Sequence, residues 1–576
     1  MVKPKSLLPY LFISLFLFSC ASGGKKERNK LRELLQTSQF SEALKVVEES
    51  KVYQDNDNRL LFLMEKGMLL HTAGDYYQSS EVLKEARELG RKLFTTSISN
   101  KVQQLIANDN YDIYYGERYE ISLIHFYQAL NHLFISKQGF YEAYTVKEGK
   151  DGVREIPKRI LTENEIKSRE MAARAEVLAW DSFLSNLKTE RAGKSVFKND
   201  LLAKVFGAYI HELIGSNTDL QIALQLYKDS HKLLVRNYGA YKAYNSSYKK
   251  YNESYEKFSK IGEKKVKEEF INETIYQKQL KEFLNERIVD LTYQIRPNGI
   301  RSLKKTYGLT NDFIDKVKKQ RNPNITILFQ KGIIPLKVGS KEYFGLGGAM
   351  NDPKASAAAK IGGAVLTVFA ASQLGLLPPP RHYTPAGAYL GIKVAEAAVT
   401  GAAVRFELPK IENPGVNYTN EVLVKKTDGT IVAREPLSLV APLGDIAEQA
   451  VAEQASSLYK RVGARLAIKH IAAIVAAYAT YKAMSSGKNA SFFAKQAAVI
   501  QYLATAKGIE HSERADTRFW SSLPSDVWMG KFKLAKGSYQ VFVKIHQAGA
   551  YRELLLGPLE VKEEDKKELI NFRSFL

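Results

Sequence analysis

The chain has 576 residues, 45% hydrophobic and 25% charged, with 84 Lys+Arg against 62 Asp+Glu for a formal charge of +22. That length exceeds one ordinary domain, and the balance of residues excludes a wholly disordered chain and a polytopic membrane protein. A single cysteine, Cys20, excludes an intramolecular disulfide and any multi-cysteine metal site.

The first twenty residues carry an address. Lys3 and Lys5 precede an apolar run from Leu7 to Phe18, and Leu17-Phe18-Ser19 leads into Cys20. A basic start, a short apolar run and a small residue before the cut describe a secretory signal, and the run falls short of the roughly 20 residues of a spanning helix. These residues resemble the bacterial lipoprotein signal. The resemblance implies that 1–19 is removed and that the Cys20 thiol carries a diacylglycerol, while Ala21 implies the outer membrane. Residues 20–30 then read as the lipidated cysteine and a short tether. Export argues against nucleic acid as the partner of the basic chain and towards anionic lipid, the cell wall and envelope proteins.

From Leu31 to Arg296 apolar residues recur at helical spacing. Leu60–His71 carries Leu61, Met64, Gly67 and Met68 on one face and is followed by Gly74-Asp75-Tyr76. This resembles a tetratricopeptide repeat, a helix–turn–helix unit with a period of about 34 residues. Echoes occur at Gln39–Leu44, at Tyr119–Leu133 with Gly139–Ala143, and at Leu201–Leu213 with Asp219–Leu234. A helix pair cannot bury its apolar face alone, so such units stack. Tyr241, Tyr244, Tyr248, Tyr251, Tyr255 and Phe258 are spaced alternately three and four apart after Tyr238, which predicts one aromatic stripe on a single helix. The stripe either packs on a partner helix or offers amphipathic anchors to a peptide, a glycan or a second subunit.

Helical periodicity stops near 321–324. Ile325–Phe329 and Ile333–Val338 read as strands; Glu421–Lys426, Thr427-Asp428-Gly429-Thr430 and Ile431–Glu435 read as a hairpin, and Val527–Leu534 with Ser538–Ile545 as another. Leu443–Met484 and Phe492–Lys507 read as Ala-rich helices, and Leu554–Val561 as the last strand. The stretch 361–377 has no charged residue and sits at the lower length limit for a membrane span. The predicted fold is therefore multidomain. An all-α, tetratricopeptide-like repeat domain (31–296) and a linker (297–324) precede an α+β domain with antiparallel hairpins (325–561). That domain holds an Ala/Gly-rich helical insert (353–405), and a charged tail (562–576) ends the chain.

No catalytic, cofactor or metal motif emerges. Ala192-Gly193-Lys194-Ser195 ends like a phosphate loop but has Lys188 where the first glycine belongs. The nine histidines form no ligand-spaced pair, and no nucleophile elbow occurs. Asp516 and Arg518 in Ala515-Asp516-Thr517-Arg518-Phe519-Trp520 are close enough to orient one another, with Trp520 and Pro524 covering apolar surface. That pattern predicts a structural corner or a ligand site. Asn108, Asp109, Tyr115, Gly116, Glu117, Arg118 and Glu120 form a second dense polar group: Gly116 permits a turn, and Glu117 or Glu120 can cap the next helix. The alternative for this group is a patch that binds a partner.

With Leu63–Gly67, Gly74–Tyr76 and His125–Asn131, the polar groups at 108–120 and 515–524 resemble a family of bacterial lipoproteins that have a tetratricopeptide-like N-terminal half and an Ala-Asp-x-Arg-x-Trp-x-x-Leu-Pro signature. The resemblance implies an envelope protein and carries no activity with it. The expectation is an outer-membrane-anchored lipoprotein, not an enzyme, acting as a protein-binding scaffold or regulator in the cell envelope, cell-wall synthesis being one candidate process. Two alternatives are an accessory of secretion or surface assembly with a membrane-active Gly/Ala-rich segment, and an envelope enzyme acting on glycan or peptide.

Overall fold

Amphipathic helices fill the N-terminal half of the computed structural model, which describes residues 24–99, 113–148, 152–189, 200–236, 238–258, 270–345, 403–484, scattered positions in 497–512, and 513–575 apart from 565. The signal segment, Cys20, Asn108, Asp109 and 361–377 lie outside the described residues. Helices α1 (Lys25–Gln36) and α2 (Phe40–Glu49) come first, so the expected 20–30 tether is already helical from Lys25 onward. Helix α3 (Arg59–Thr72) then pairs with α4 (Tyr76–Ser99). The two approach closely at Gly67, where a Cβ would meet Leu83 Cδ2 at 2.5 Å. Ser79 in α4 donates to the Gly67 carbonyl at 2.7 Å and holds that approach.

Helices α5 (Arg118–Gln138), α6 (Glu163–Thr189), α7 (Leu201–Ile214) and α8 (Asn217–Arg236) continue the array, followed by α9 (Tyr248–Phe258) and α10 (Ile275–Ile295). Asp200 begins α7 by accepting from the amides of Leu202 and Ala203, and Thr274 begins α10 by accepting from the amide of Gln277. One predicted helix is absent. Gly139 ends α5 in the left-handed conformation, and Phe140–Tyr141 (β1) starts a small strand region with β2 (Tyr144–Glu148), β3 (Gly152–Ile156) and β4 (Arg159–Ile160). The β-branched and aromatic residues there outweigh the helical echo of Gly139–Ala143. Residues 297–324, expected as a linker, contain α11 (Ile300–Tyr307) and α12 (Asn311–Lys319), whose Ile314 and Val317 pack with Val289 of α10.

The C-terminal half is rich in antiparallel strands. Strand β5 (Ile325–Lys331) lies between β11 (Asp526–Phe532) and β14 (Glu568–Ser574), and β10 (Ser438–Ala441) completes that four-stranded sheet. A second sheet has the order β13 (Ala550–Val561), β12 (Gly537–Gln547), β8 (Tyr418–Lys426), β9 (Ile431–Pro436). The Asp-Gly turn between β8 and β9 forms as predicted: Gly429 has φ 86°, and Thr430 N–H donates to Asp428 at 2.8 Å. The second predicted hairpin does not. β11 and β12 follow one another in sequence but enter different sheets, and β12 pairs instead with β13 and β8. The strand predicted at Ile333–Val338 begins only at Lys337.

The charged tail is also corrected. β14 runs parallel to β5, from Glu568 opposite Ile325 to Ser574 opposite Lys331, and Phe575 contacts Phe40 of α2 with ring centroids 5.7 Å apart. The charged run 562–568 that leads into β14 reads as a solvated tail, but β5 supplies an open edge that only the tertiary structure reveals.

Strands β6 (Lys337–Gly345) and β7 (Ala403–Ile411) pair antiparallel, with Gly345 opposite Ala403, so the sequence 346–402 connects the end of this ribbon. The last residues of the expected 353–405 insert thus belong to β7. Helix α13 (Leu443–Met484) packs along the ribbon; its 42 residues span about 63 Å at 1.5 Å each. Phe406, Val462, Leu466, Ala473 and Ile509 form a small core here. The main core is continuous from Leu31, Leu63 and Phe126 to Phe329, Trp520 and Trp528, so both halves of the sequence contribute to one interior.

Candidate functional site

Residues 513–524 lie between the helices and the first sheet, and there the residues singled out in the sequence meet. Asp516 Oδ1 accepts from the amide and the Nε of Arg518 at 2.9 Å each, and Oδ2 accepts from its Nη2 at 2.7 Å. This two-residue clamp aims the guanidinium at Asn58 Oδ1, 2.9 Å away, and places it 5.4 Å from the Tyr114 ring centroid. Burial pushes the Asp516 carboxyl up, but Arg518 and Lys337 bring its pKa below the usual carboxylate range. Asp516 and Arg518 thus face the helical half, through Asn58 and Tyr114.

Trp520 is fully buried, its ring 5.9 Å from that of Tyr127 in α5. Its backbone N–H donates to Glu120 Oε1 at 2.7 Å. Glu120 Oε2 accepts from the Glu117 N–H at 2.8 Å and from the Tyr114 hydroxyl, which is the predicted cap at the start of α5. Burial, reinforced by the charge of Glu117, pushes the Glu120 pKa up to about 7. Glu117 in turn meets Lys337 Nζ at 3.1 Å, and Lys337 also donates to the Arg518 carbonyl at 3.3 Å. The polar group at 114–120 and the signature at 515–522 are thus two sides of one buried contact. Tyr115 and Arg118 are half-buried at its rim.

Glu65 completes the joint and escaped the sequence reading. Its carboxylate accepts the Ser521 N–H and hydroxyl at 2.7 Å each on Oε1, and the Ser522 N–H at 3.2 Å on Oε2. Burial raises its pKa, and those donors oppose the rise. The available signal was one acid inside the apolar run Leu60–Leu70, where an unpaired charge is costly.

A second buried network was missed for the same reason. Glu212 of α7 accepts from Lys531 at 2.6 Å and from the Tyr227 hydroxyl at 2.6 Å on Oε1, and from Arg287 at 2.8 Å on Oε2. Lys567 donates to the Glu212 carbonyl at 2.7 Å, and Arg287 also pairs with Asp290 at 3.0 Å. Burial works against the Glu212 charge, but Arg287, Lys531 and Lys567 hold its pKa well below the usual range. Lys531 is pushed down to about 7 by burial and by Arg287. This network ties α7 and α10 to β11 and to the approach of β14.

The tyrosine stripe does not form. Tyr238–Ala240 is a short 3-10 turn and the helix starts only at Tyr248. Asn245 is the reason: its amide donates to the carbonyls of Gly239 and Phe270 at 2.8 and 3.0 Å, and its oxygen accepts from the amides of Ser247 and Asn272 at 3.0 and 2.8 Å. A side chain that satisfies so much backbone stabilises the turn over the helix. Tyr241, Tyr244 and Tyr251 are core residues, and the Tyr244 hydroxyl donates to the Leu439 carbonyl at 3.0 Å. Tyr248 is half-buried, and the Tyr255 side chain lies outside the described residues. Three of these tyrosines are therefore occupied within the chain and are not surface anchors.

Among the described residues no group of three or more His, Cys, Asp or Glu could hold a metal ion, and no helix is long and apolar enough to cross a membrane. Comparison of the chain with protein-family models, with curated proteins and with solved structures gives no match. Glu65 and Glu120 satisfy backbone donors of the 515–522 segment, and Glu212 gathers side-chain donors from both halves of the sequence.

Proposed function

We propose that the chain is a lipoprotein anchored in the outer membrane through Cys20, serving as a protein-binding scaffold in the cell envelope, with a tetratricopeptide-like helical half. The observation that carries this reading is the run Leu17-Phe18-Ser19-Cys20 placed directly before a helix whose Leu31 and Leu35 are fully buried. In this reading only Ala21, Ser22 and Gly23 separate the anchor from the first described residue, Gly24. Supporting it, α3 with α4 and α7 with α8 form successive helix pairs, the unit from which repeat scaffolds stack. The test is in-cell crosslinking and affinity capture of the full-length chain beside Cys20→Ala. One envelope protein recovered in stoichiometric amount from the wild type alone is expected. Recovery of nothing specific from either form refutes the scaffold.

A second reading, an accessory of secretion or surface assembly, draws on the place of 346–402 at the end of the β6–β7 ribbon beside α13. Deleting 353–400 would then abolish partition of the Cys20→Ala chain into vesicles. Unchanged partition removes this reading.

A further inference from the structure

We infer that the body sits on the bilayer by one fixed face, formed by the first turn of α1 and the adjoining 50–56 turn, with phospholipid headgroups as its partner. The inference rests on the Cys20 anchor and adds to it a distance and an orientation.

The chain is locked from Gly24 onward. Gly24 has φ 69°, and a Cβ there would lie 2.9 Å from Val52 Cγ1, so the backbone itself is pressed against the 50–56 turn. The Gly24 carbonyl accepts from the Arg28 amide at 3.0 Å. Arg28 is buried: its Nη2 donates to Thr517 Oγ1 at 2.9 Å, and its guanidinium lies 5.8 Å from the Phe519 ring centroid. One turn later, Arg32 Nη1 donates to the Ile334 carbonyl at 2.6 Å. The N-terminus of α1 is therefore bonded to the same corner that joins the two halves, and it cannot swing away as a flexible tether would.

Four residue steps separate Cys20 from Gly24 and reach at most about 14 Å when fully extended. The headgroup layer takes up roughly 5–7 Å of that reach in each leaflet. What remains is under about 10 Å, close to one Debye length of ~8 Å at physiological salt, so charges on this face feel the membrane surface. The exposed charges beside Gly24 are Lys25, Lys26 and Lys51, with Asp55 on the same turn and Glu27 half-buried. Lys25, Lys26 and Lys51 can meet anionic headgroups, and it is the short reach from the anchor, not a net positive charge, that brings them there.

The experiment uses the full lipoprotein in vesicles of phosphatidylethanolamine and phosphatidylglycerol carrying a headgroup-linked quencher. Cys20 is the only native cysteine, so once it is acylated an introduced cysteine takes a fluorophore alone. Lys51→Cys places the probe on the proposed face, and Tyr551→Cys places it on the exposed edge of the second sheet. Quenching several-fold stronger at position 51 than at 551 is expected, and a ten-residue Gly/Ser insertion after Ser22 should remove the difference. Equal quenching at the two positions in a chain whose mass shows the acyl groups overturns the orientation and leaves the anchor standing. A chain without acyl groups overturns the anchor itself.

Discussion

Replacing Glu65 by leucine tests the central joint. The substitution keeps roughly the volume of the side chain in a fully buried site but removes the acceptor of two backbone amides and one hydroxyl. The Ser521 hydroxyl can turn elsewhere, whereas the amides of Ser521 and Ser522 cannot. A buried donor left unsatisfied costs about 1–3 kcal/mol, which puts the gross loss at roughly 2–6 kcal/mol. Burial already disfavours the charged carboxylate, so its removal offsets part of this. The net expectation is a loss of about 2–4 kcal/mol in urea unfolding of the lipid-free chain, with faster hydrogen exchange at the amides of Ser521 and Ser522. Glu65→Gln keeps Oε1 but turns an NH2 towards the Ser522 amide, and should cost less. A leucine variant within about 1 kcal/mol of wild type, with unchanged exchange at both serines, would refute the assignment of Glu65 as the acceptor that seats the corner.

Three further outcomes follow from the same geometry. The Glu120 carboxyl has its native pKa raised to about 7 from 4.5, so the folded chain keeps a proton that the unfolded chain gives up; stability should fall by up to about 3 kcal/mol as pH rises through that window, and Glu120→Gln should lose this slope. Glu212→Gln leaves Arg287, Lys531 and Lys567 around a neutral amide and should cost about 3–5 kcal/mol in urea unfolding, with Lys531→Met added to it recovering part of the loss. Removal of 568–576 strips the parallel partner from β5 and should give an aggregating chain on gel filtration, whereas loss of a solvated tail would be silent.

Local chemistry was legible without the fold. The periodicity of Leu60–His71 and Leu201–Leu213, the Ala-rich composition of Leu443–Met484, the Asp-Gly turn at 428–429, and the cap by Glu120 depend on properties local to a few residues, which the sequence order itself supplies. The same holds for the clamp between Asp516 and Arg518, two residues apart. Pairing across hundreds of residues has no such local trace. Strand propensity at Val527 and Ser538 is satisfied in either one sheet or two, and only the available edges of β5 and β8 decide between them. Aromatic spacing at Tyr241–Tyr255 fits a helix until Asn245 is given Phe270 and Asn272 as partners. Residues 108–120 and 515–522 were each legible as polar groups that needed something. That Glu120 of the first and Trp520 of the second answer one another, with Glu65 holding Ser521 next in sequence, followed only when burial removed water as the competing partner.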